Sequence, residues 1–187
     1  MKPIADALQL LLAALDRMEL RYAVGGSVAS SEYGNYRYTN DVDILVEIES
    51  GQVGEFLELL GADFYAGGDT LGAIRLGRSA NVIHIPTAYK FDIFPSGGRE
   101  FPKRELDRRQ YRNTLFGGSH IELSVVSPED AILAKLDWMR QAGGVREQQR
   151  RDILSVISVQ GEKLDFAYME EMAEKLGVLP ELKKYLQ

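Results

Sequence analysis

The chain has 187 residues, 45% of them hydrophobic, with 22 Lys and Arg against 28 Asp and Glu for a formal charge of −6, the make-up of one globular domain or a linked pair of small subdomains. The acidic balance argues against a general nucleic-acid coat, zero cysteines exclude disulfides and thiolate chemistry, and two histidines, His84 and His120, are too few for an all-protein zinc site. No apolar run nears the ~20 residues of a membrane span, and Met1 to Asp6 lack a basic region followed by an apolar block, so a cytoplasmic protein using a hard, oxygen-held cation is expected.

Ile4, Leu8, Leu11, Leu12, Leu15 and Met18 recur at helical spacing and predict a helix over 4–20, leading into a short strand over 21–24. Gly25 and Gly26 break that strand. Ser27 is placed to cap a short helix over 28–33, and the polar stretch 34–40 reads as a loop. The next strand is the best patterned: Val42, Ile44, Val46 and Ile48 alternate onto one face, which puts Asp41 and Asp43 together on the other.

Residues 52–60 read as a helix closed by Gly61, followed by three strand-like runs over 70–76, 81–85 and 89–94. In the last run Tyr89, Phe91 and Ile93 share a face, leaving Asp92 on the opposite one beside Lys90 and Phe94, where it could meet the Asp41–Asp43 pair across a sheet. At Ser127 the period changes. Ser127 caps, Pro128 takes the first helical position, Asp130 stands where a capping-box acid belongs and Gly143 closes the segment. Helices are expected again over 146–160 and 165–176, which divides the chain into residues 1–126 and a helical part over 127–187.

The chemistry lies in the Asp pair. Residues two apart on a strand are about 6.6 Å apart along the backbone, a span from which two carboxylates can converge on metals ~3.5–4 Å apart, with a third carboxylate completing the site. The Gly25-Gly26 turn removes two side chains where a phosphate can approach, and the Ser27 hydroxyl and following amides face it at a helix N-terminus.

The order Gly25-Gly26-Ser27, then Arg37-Tyr38-Thr39-Asn40-Asp41-Val42-Asp43, then Lys90-Phe91-Asp92-Ile93 resembles the DNA polymerase beta-like nucleotidyltransferase superfamily. Ser127-Pro128-Glu129-Asp130 through Lys135-Leu136, followed by Arg150-Arg151-Asp152-Ile153, resembles the C-terminal part of the abortive-infection (AbiEii) toxin-like branch. The resemblance implies an α+β (α/β) fold, a small mixed β-sheet with flanking helices followed by a helical C-terminal part, with residues 1–126 as catalytic core and 127–187 as helical subdomain. It implies transfer of an NMP from an NTP with loss of pyrophosphate, using two Mg²⁺ (or Mn²⁺) per site. Asp41, Asp43 and Asp92 would be catalytic and hold the metals, Asp92 also deprotonating the acceptor. Gly25, Gly26, Ser27, Arg37, Lys135 and Asp152 would bind the nucleotide, Asp152 by orienting Lys135.

The acceptor is expected to be RNA or tRNA in a toxin-like role, with an antitoxin protein as partner. Two basic clusters motivate it: Arg99, Lys103, Arg104, Arg108, Arg109 and Arg112, then Arg140, Arg146, Arg150 and Arg151. Compact size and net acidity fit the alternative, a small-molecule (antibiotic-type) nucleotidyltransferase, and a third reading is a catalytically idle NTP-binding domain of the same fold.

Overall fold

The computed structural model describes residues 4–144 and 146–187; Met1, Lys2 and Pro3, at the start of the stretch read above for a leader, lie outside them. Leu8, Leu11, Leu12 and Leu15 all bury themselves on one side of α1 (Ile4–Arg17), as their 3–4 spacing requires. Strands β1 (Tyr22–Val24), β2 (Asp41–Val46), β3 (Phe64–Ala66), β4 (Ala80–His84), β5 (Tyr89–Pro95), β6 (Gln110–Phe116) and β7 (Ser119–Val125) form, among the described residues, one mixed seven-stranded sheet. Its order is β3-β4-β5-β2-β1-β7-β6.

The centre of the sheet is β2 and β5, paired in parallel over six residues. Val42 and Ile44 of β2 and Phe91 and Ile93 of β5 are fully buried, each contributing about 1.5–3 kcal/mol of transfer free energy. The pleat then sends Asp41, Asp43 and Asp92 to the opposite face.

Helices α2 (Gly26–Tyr33), α3 (Val53–Leu60), α4 (Thr70–Arg75) and α5 (Glu100–Asp107) fill the connections. From residue 128 onward the described chain is helical, with α6 (Pro128–Gln141), α7 (Glu147–Gln160), α8 (Phe166–Leu176) and α9 (Leu179–Tyr185). Ser127 caps α6 as expected, its hydroxyl accepting the Asp130 N–H at 3.2 Å, an arrangement worth about 1 kcal/mol. The Asp130 carboxylate does not reach back to the cap backbone: it accepts the Ser127 hydroxyl at 2.8 Å and the Tyr168 phenol at 2.6 Å, tying α8 to the start of α6.

Two sequence-based expectations fail here. Residues 70–76 are not a strand: Thr70 and Ile74, four apart, are the buried positions of α4, and the intervening Gly72 and Ala73 have little to offer a pleated surface. Ser27 does not cap α2, because the helix already includes Gly26, with Gly25 at the cap position, and the Ser27 hydroxyl is turned elsewhere. The β6–β7 hairpin, joined through Gly117 and Gly118, adds two strands in a region where the sequence reading placed none. No described helix is long and apolar enough to cross a membrane.

Candidate active site

β1 ends at Val24, and its ladder to β2 is prolonged by the Gly25 N–H, which donates to the Asp43 carbonyl at 2.9 Å. Gly26 follows at φ +55°, and a Cβ there would lie 1.6 Å from Asp43 Oδ2. Only glycine lets the start of α2 rest against this carboxylate. Ser27 Oγ donates to Thr39 Oγ1 at 2.7 Å, and the Thr39 hydroxyl donates to Asp41 Oδ1 at 2.9 Å. The Tyr89 phenol donates to the Thr39 carbonyl at 2.6 Å and pins the loop before β2 to the start of β5. Ser27 thus acts on Asp41 through Thr39, a relay that spacing along the chain gave no means of finding.

Parallel register sets Asp43 directly opposite Asp92 and Asp41 opposite Lys90. All three carboxylates singled out from the sequence therefore stand on one face of two adjacent strands. Burial, reinforced by the charges of Asp41 and Asp92 and opposed by Lys135 and Lys90, pushes the Asp43 carboxyl up to about 6. Lys90 Nζ lies 2.7 Å from Asp92 Oδ2 and 3.8 Å from Asp41 Oδ2. Its bond to Asp92, with the neighbouring carboxylate charges, outweighs desolvation and holds the ammonium above its ordinary range. Sequence reasoning noted Lys90 beside Asp92 and assigned it nothing; the signal was its spacing, two residues from Asp92 on one strand face.

A second cluster forms where the loop before β2 meets α6 and α7. Lys135 is buried, and its ammonium donates to Asp152 Oδ2 at 2.9 Å and to Gln149 Oε1 at 2.8 Å. Asp152 also accepts Arg37 Nε at 3.0 Å and the second Arg37 nitrogen at 3.1 Å, a bidentate fork, together with Gln148 at 3.0 Å. Burial pushes Asp152 up, but the bonds from Arg37, Lys135 and Gln148 outweigh it and hold the carboxyl below its usual range. Burial lowers the Lys135 ammonium, and Asp152 opposes that shift. Lys135 is also felt at Asp43, which links the two clusters electrostatically.

Carboxylate oxygens of this kind suit a hard divalent cation such as Mg²⁺ or Mn²⁺. As the side chains stand, no three His, Asp or Glu among the described residues converge into a ready cage, Lys90 lying between Asp92 and Asp41. The negative charge of Asp41 and Asp92, which adds to burial in raising Asp43, and the glycine backbone laid against Asp43 nonetheless fit a cation and an approaching phosphate on this face of the sheet.

Beside the loop lies a cavity of about 180 Å³ walled by Tyr36, Tyr38, Thr39, Tyr89, Phe116 and Glu32, among others. Thr39 belongs both to that wall and to the bond with Asp41. Several basic-cluster side chains make local contacts, and Arg140, Arg150 and Arg151 keep about half or more of their side chains in water. Arg108 pairs with Glu129 and lies 3.8 Å over the Tyr168 ring, and Arg99 and Arg109 donate to backbone carbonyls. Arg140 pairs with Asp137, Arg150 and Arg151 with Glu147, and Arg146 lies 4.7 Å over Trp138.

No protein-family model matches the chain, and no curated protein matches its sequence. Among solved structures, it is similar to that of the antibiotic-resistance factor ANT(2″)-Ia, with a TM-score of 0.57, 12% identity, and 97% of each chain covered. It is similar to an antigenic nucleotidyltransferase-like protein from Paracoccidioides brasiliensis (TM-score 0.54, 20% identity, 99% of this chain and 94% of that one). The lincomycin-bound lincosamide antibiotic adenylyltransferase LnuA gives a TM-score of 0.53 at 15% identity over 85% of this chain and 99% of that one. The fold is therefore that of nucleotidyltransferases: a mixed sheet with flanking helices and a helical C-terminal part.

Proposed function

We propose that the protein is a metal-dependent nucleotidyltransferase of the DNA polymerase beta-like superfamily, which moves an NMP from an NTP to a hydroxyl on a small acceptor and releases pyrophosphate. The observation that carries this reading is the register of β2 against β5, which sets Asp43 opposite Asp92 with Asp41 on the same face, next to Gly26, where an added Cβ would collide with Asp43. Asp41, Asp43 and Asp92 would hold Mg²⁺ or Mn²⁺, which when bound neutralises triphosphate charge and fixes the phosphates for in-line attack.

The chain's own groups account for the rest. The Gly25-Gly26 turn and the amides from Ser27 onward admit the phosphates to the start of α2. Ser27 and Thr39 fix the orientation of Asp41. Asp92 takes the acceptor hydroxyl proton as its oxygen attacks the α-phosphorus and the bond to the bridging oxygen of pyrophosphate breaks. Arg37 and Lys135, gathered by Asp152, direct two cations to the triphosphate side of the cleft.

The likeness to two antibiotic-related proteins supports a small acceptor; the aromatic cavity touches the Asp cluster only through Thr39. An RNA or tRNA acceptor, with a toxin-like role and an antitoxin partner, is the second reading: Arg140, Arg150 and Arg151 pair only along their own helices and keep about half or more of their side chains in water. Incubation with each of four α-³²P-labelled NTPs, Mg²⁺ or Mn²⁺, and either total RNA or a panel of aminoglycosides and lincosamides separates these outcomes. Label on a small molecule, lost in Asp43→Ala, is expected. Label on RNA would move the acceptor class, and no label anywhere, with NTP still bound, would favour the idle fold.

A further inference from the structure

Lys90 and Asp92 stand two apart on β5, so both leave the same face of the sheet as Asp41 and Asp43. The Lys90 backbone is paired on both sides, with Asp41 of β2 and Ile83 of β4, so its side chain emerges from a fixed point rather than from a mobile loop. Its ammonium rests 2.7 Å from Asp92 Oδ2 and 3.8 Å from Asp41 Oδ2, bridging carboxylates of two neighbouring strands. Both groups keep contact with water, Lys90 at 41% and Asp92 at 19% side-chain exposure. The ammonium could therefore extend into solvent, and it lies instead against the two acids.

Charge decides what such a cation does. Three ionised carboxylates and one ammonium leave a net charge of −2, which a single divalent ion cancels; two divalent ions beside the ammonium would leave an excess of +2 before any nucleotide arrives. Like charges a few ångströms apart in a partly buried site repel strongly. Resting on the nucleotidyl-transfer reading above, we propose that Lys90 is a positioning residue that occupies the place of one divalent ion: it holds Asp92 and shares Asp41, so that the nucleotide-free protein loads a single metal on the Asp41–Asp43 side.

The expectation of two metals per site is thereby narrowed for the nucleotide-free state. Removing the ammonium should free Asp92 and half-free Asp41, opening a second oxygen site for the same kind of ion. An arginine, which keeps the charge and the reach, should hold the site closed.

Titration of the full-length, nucleotide-free protein with Mn²⁺, following free ion by electron paramagnetic resonance, tests this directly. One ion per chain is expected in the wild type and in Lys90→Arg, and two in Lys90→Met, with Lys90→Gln read in its place if the methionine variant does not fold. Two ions or none in the wild type would overturn the proposal, as would one ion in both neutral variants. Asp43→Asn separates the two levels of the argument. If it loses the wild-type ion while Lys90→Met still binds only one, the role of Lys90 fails alone; if it keeps the wild-type ion, the metal assignment of the Asp cluster fails with it.

Discussion

Arg37 and Asp152, 115 residues apart in the chain, are joined by two hydrogen bonds of 3.0 and 3.1 Å, and the same carboxylate accepts the buried Lys135 ammonium at 2.9 Å. One acid from α7 thus fixes both the loop that leads into Asp41 and the cation behind Asp43.

Because Lys135 is buried, neutralising Asp152 leaves an ammonium without its compensating charge. Asp152→Asn is expected to destabilise the protein by about 3 kcal/mol, on the order of 6–12 °C in Tm for a chain of this size. Arg37, at 31% side-chain exposure, can turn to solvent, so the loss falls mainly on Lys135. The double variant Lys135→Met/Asp152→Leu should recover most of that stability, since a buried pair replaced by apolar groups is often neutral, while NTP affinity stays low. Thermal melts and nucleotide-binding titrations on the two variants make the comparison; an unchanged Tm in Asp152→Asn would mean that Gln149 alone satisfies Lys135.

The Asp43 carboxyl gives the metal-free protein a pH dependence of definite sign. Its value in the folded state is about 6 against an ordinary 3.8, through burial first and the charges of Asp41 and Asp92 second, with Lys135 and Lys90 opposing. Below pH ~4 the group is protonated in both states and contributes nothing. Between pH ~4 and ~6 the folded state keeps a proton that the unfolded state has released, so stability falls as pH rises, and above ~6 the full cost of about 3 kcal/mol is present. In EDTA, Asp43→Asn should therefore be more stable than wild type by about 2–3 kcal/mol at pH 8 and equal to it near pH 4. Urea unfolding at the two pH values measures the difference; an equal gap at both would place the destabilisation somewhere other than in this ionisation.

Much of this site was legible because its parts lie on regular strands. Alternation in β2 and β5 alone put Asp41, Asp43 and Asp92 on faces away from Val42, Ile44, Phe91 and Ile93, and period 2 has no second solution once those residues are core. The pairing of Lys135 with Asp152 came from the resemblance, since helical stripes alone left Lys135 and Asp152 equally readable as solvated flanks. Arg37 as the third member was not readable, because a fork across 115 residues depends on where α7 packs, and nothing in the local pattern of a polar loop encodes that. Short elements failed for a related reason. In α4 six residues make fewer than two turns, too few for a helical period to outvote an apparent alternation, and tertiary burial of Thr70 and Ile74 decides the outcome. Charge counted along the sequence likewise does not reveal that Arg108 faces Glu129 and Asp130 or that Arg146 covers Trp138.

Gly26 offers the sharpest separation of site from scaffold. Its φ of +55° is one that a residue with a side chain adopts at a cost of about 1–2 kcal/mol, and an added Cβ would sit 1.6 Å from Asp43 Oδ2, 2.6 Å from its Cγ and 3.0 Å from its Cβ. The nearest obstacle is the end of a side chain, so Gly26→Ala is expected to fold with Asp43 rotated away, losing a few degrees of Tm and at least tenfold in Mn²⁺ affinity, as misplacing a metal ligand does. At Gly25 the nearest atom to an added Cβ is Val126 Cγ1 at 4.0 Å, so Gly25→Ala should leave metal binding close to wild type. Mn²⁺ titration and thermal melts of both variants supply the check: equal losses at the two glycines would assign the turn a backbone role only, whereas a loss confined to Gly26→Ala would tie it to the position of the Asp43 carboxylate.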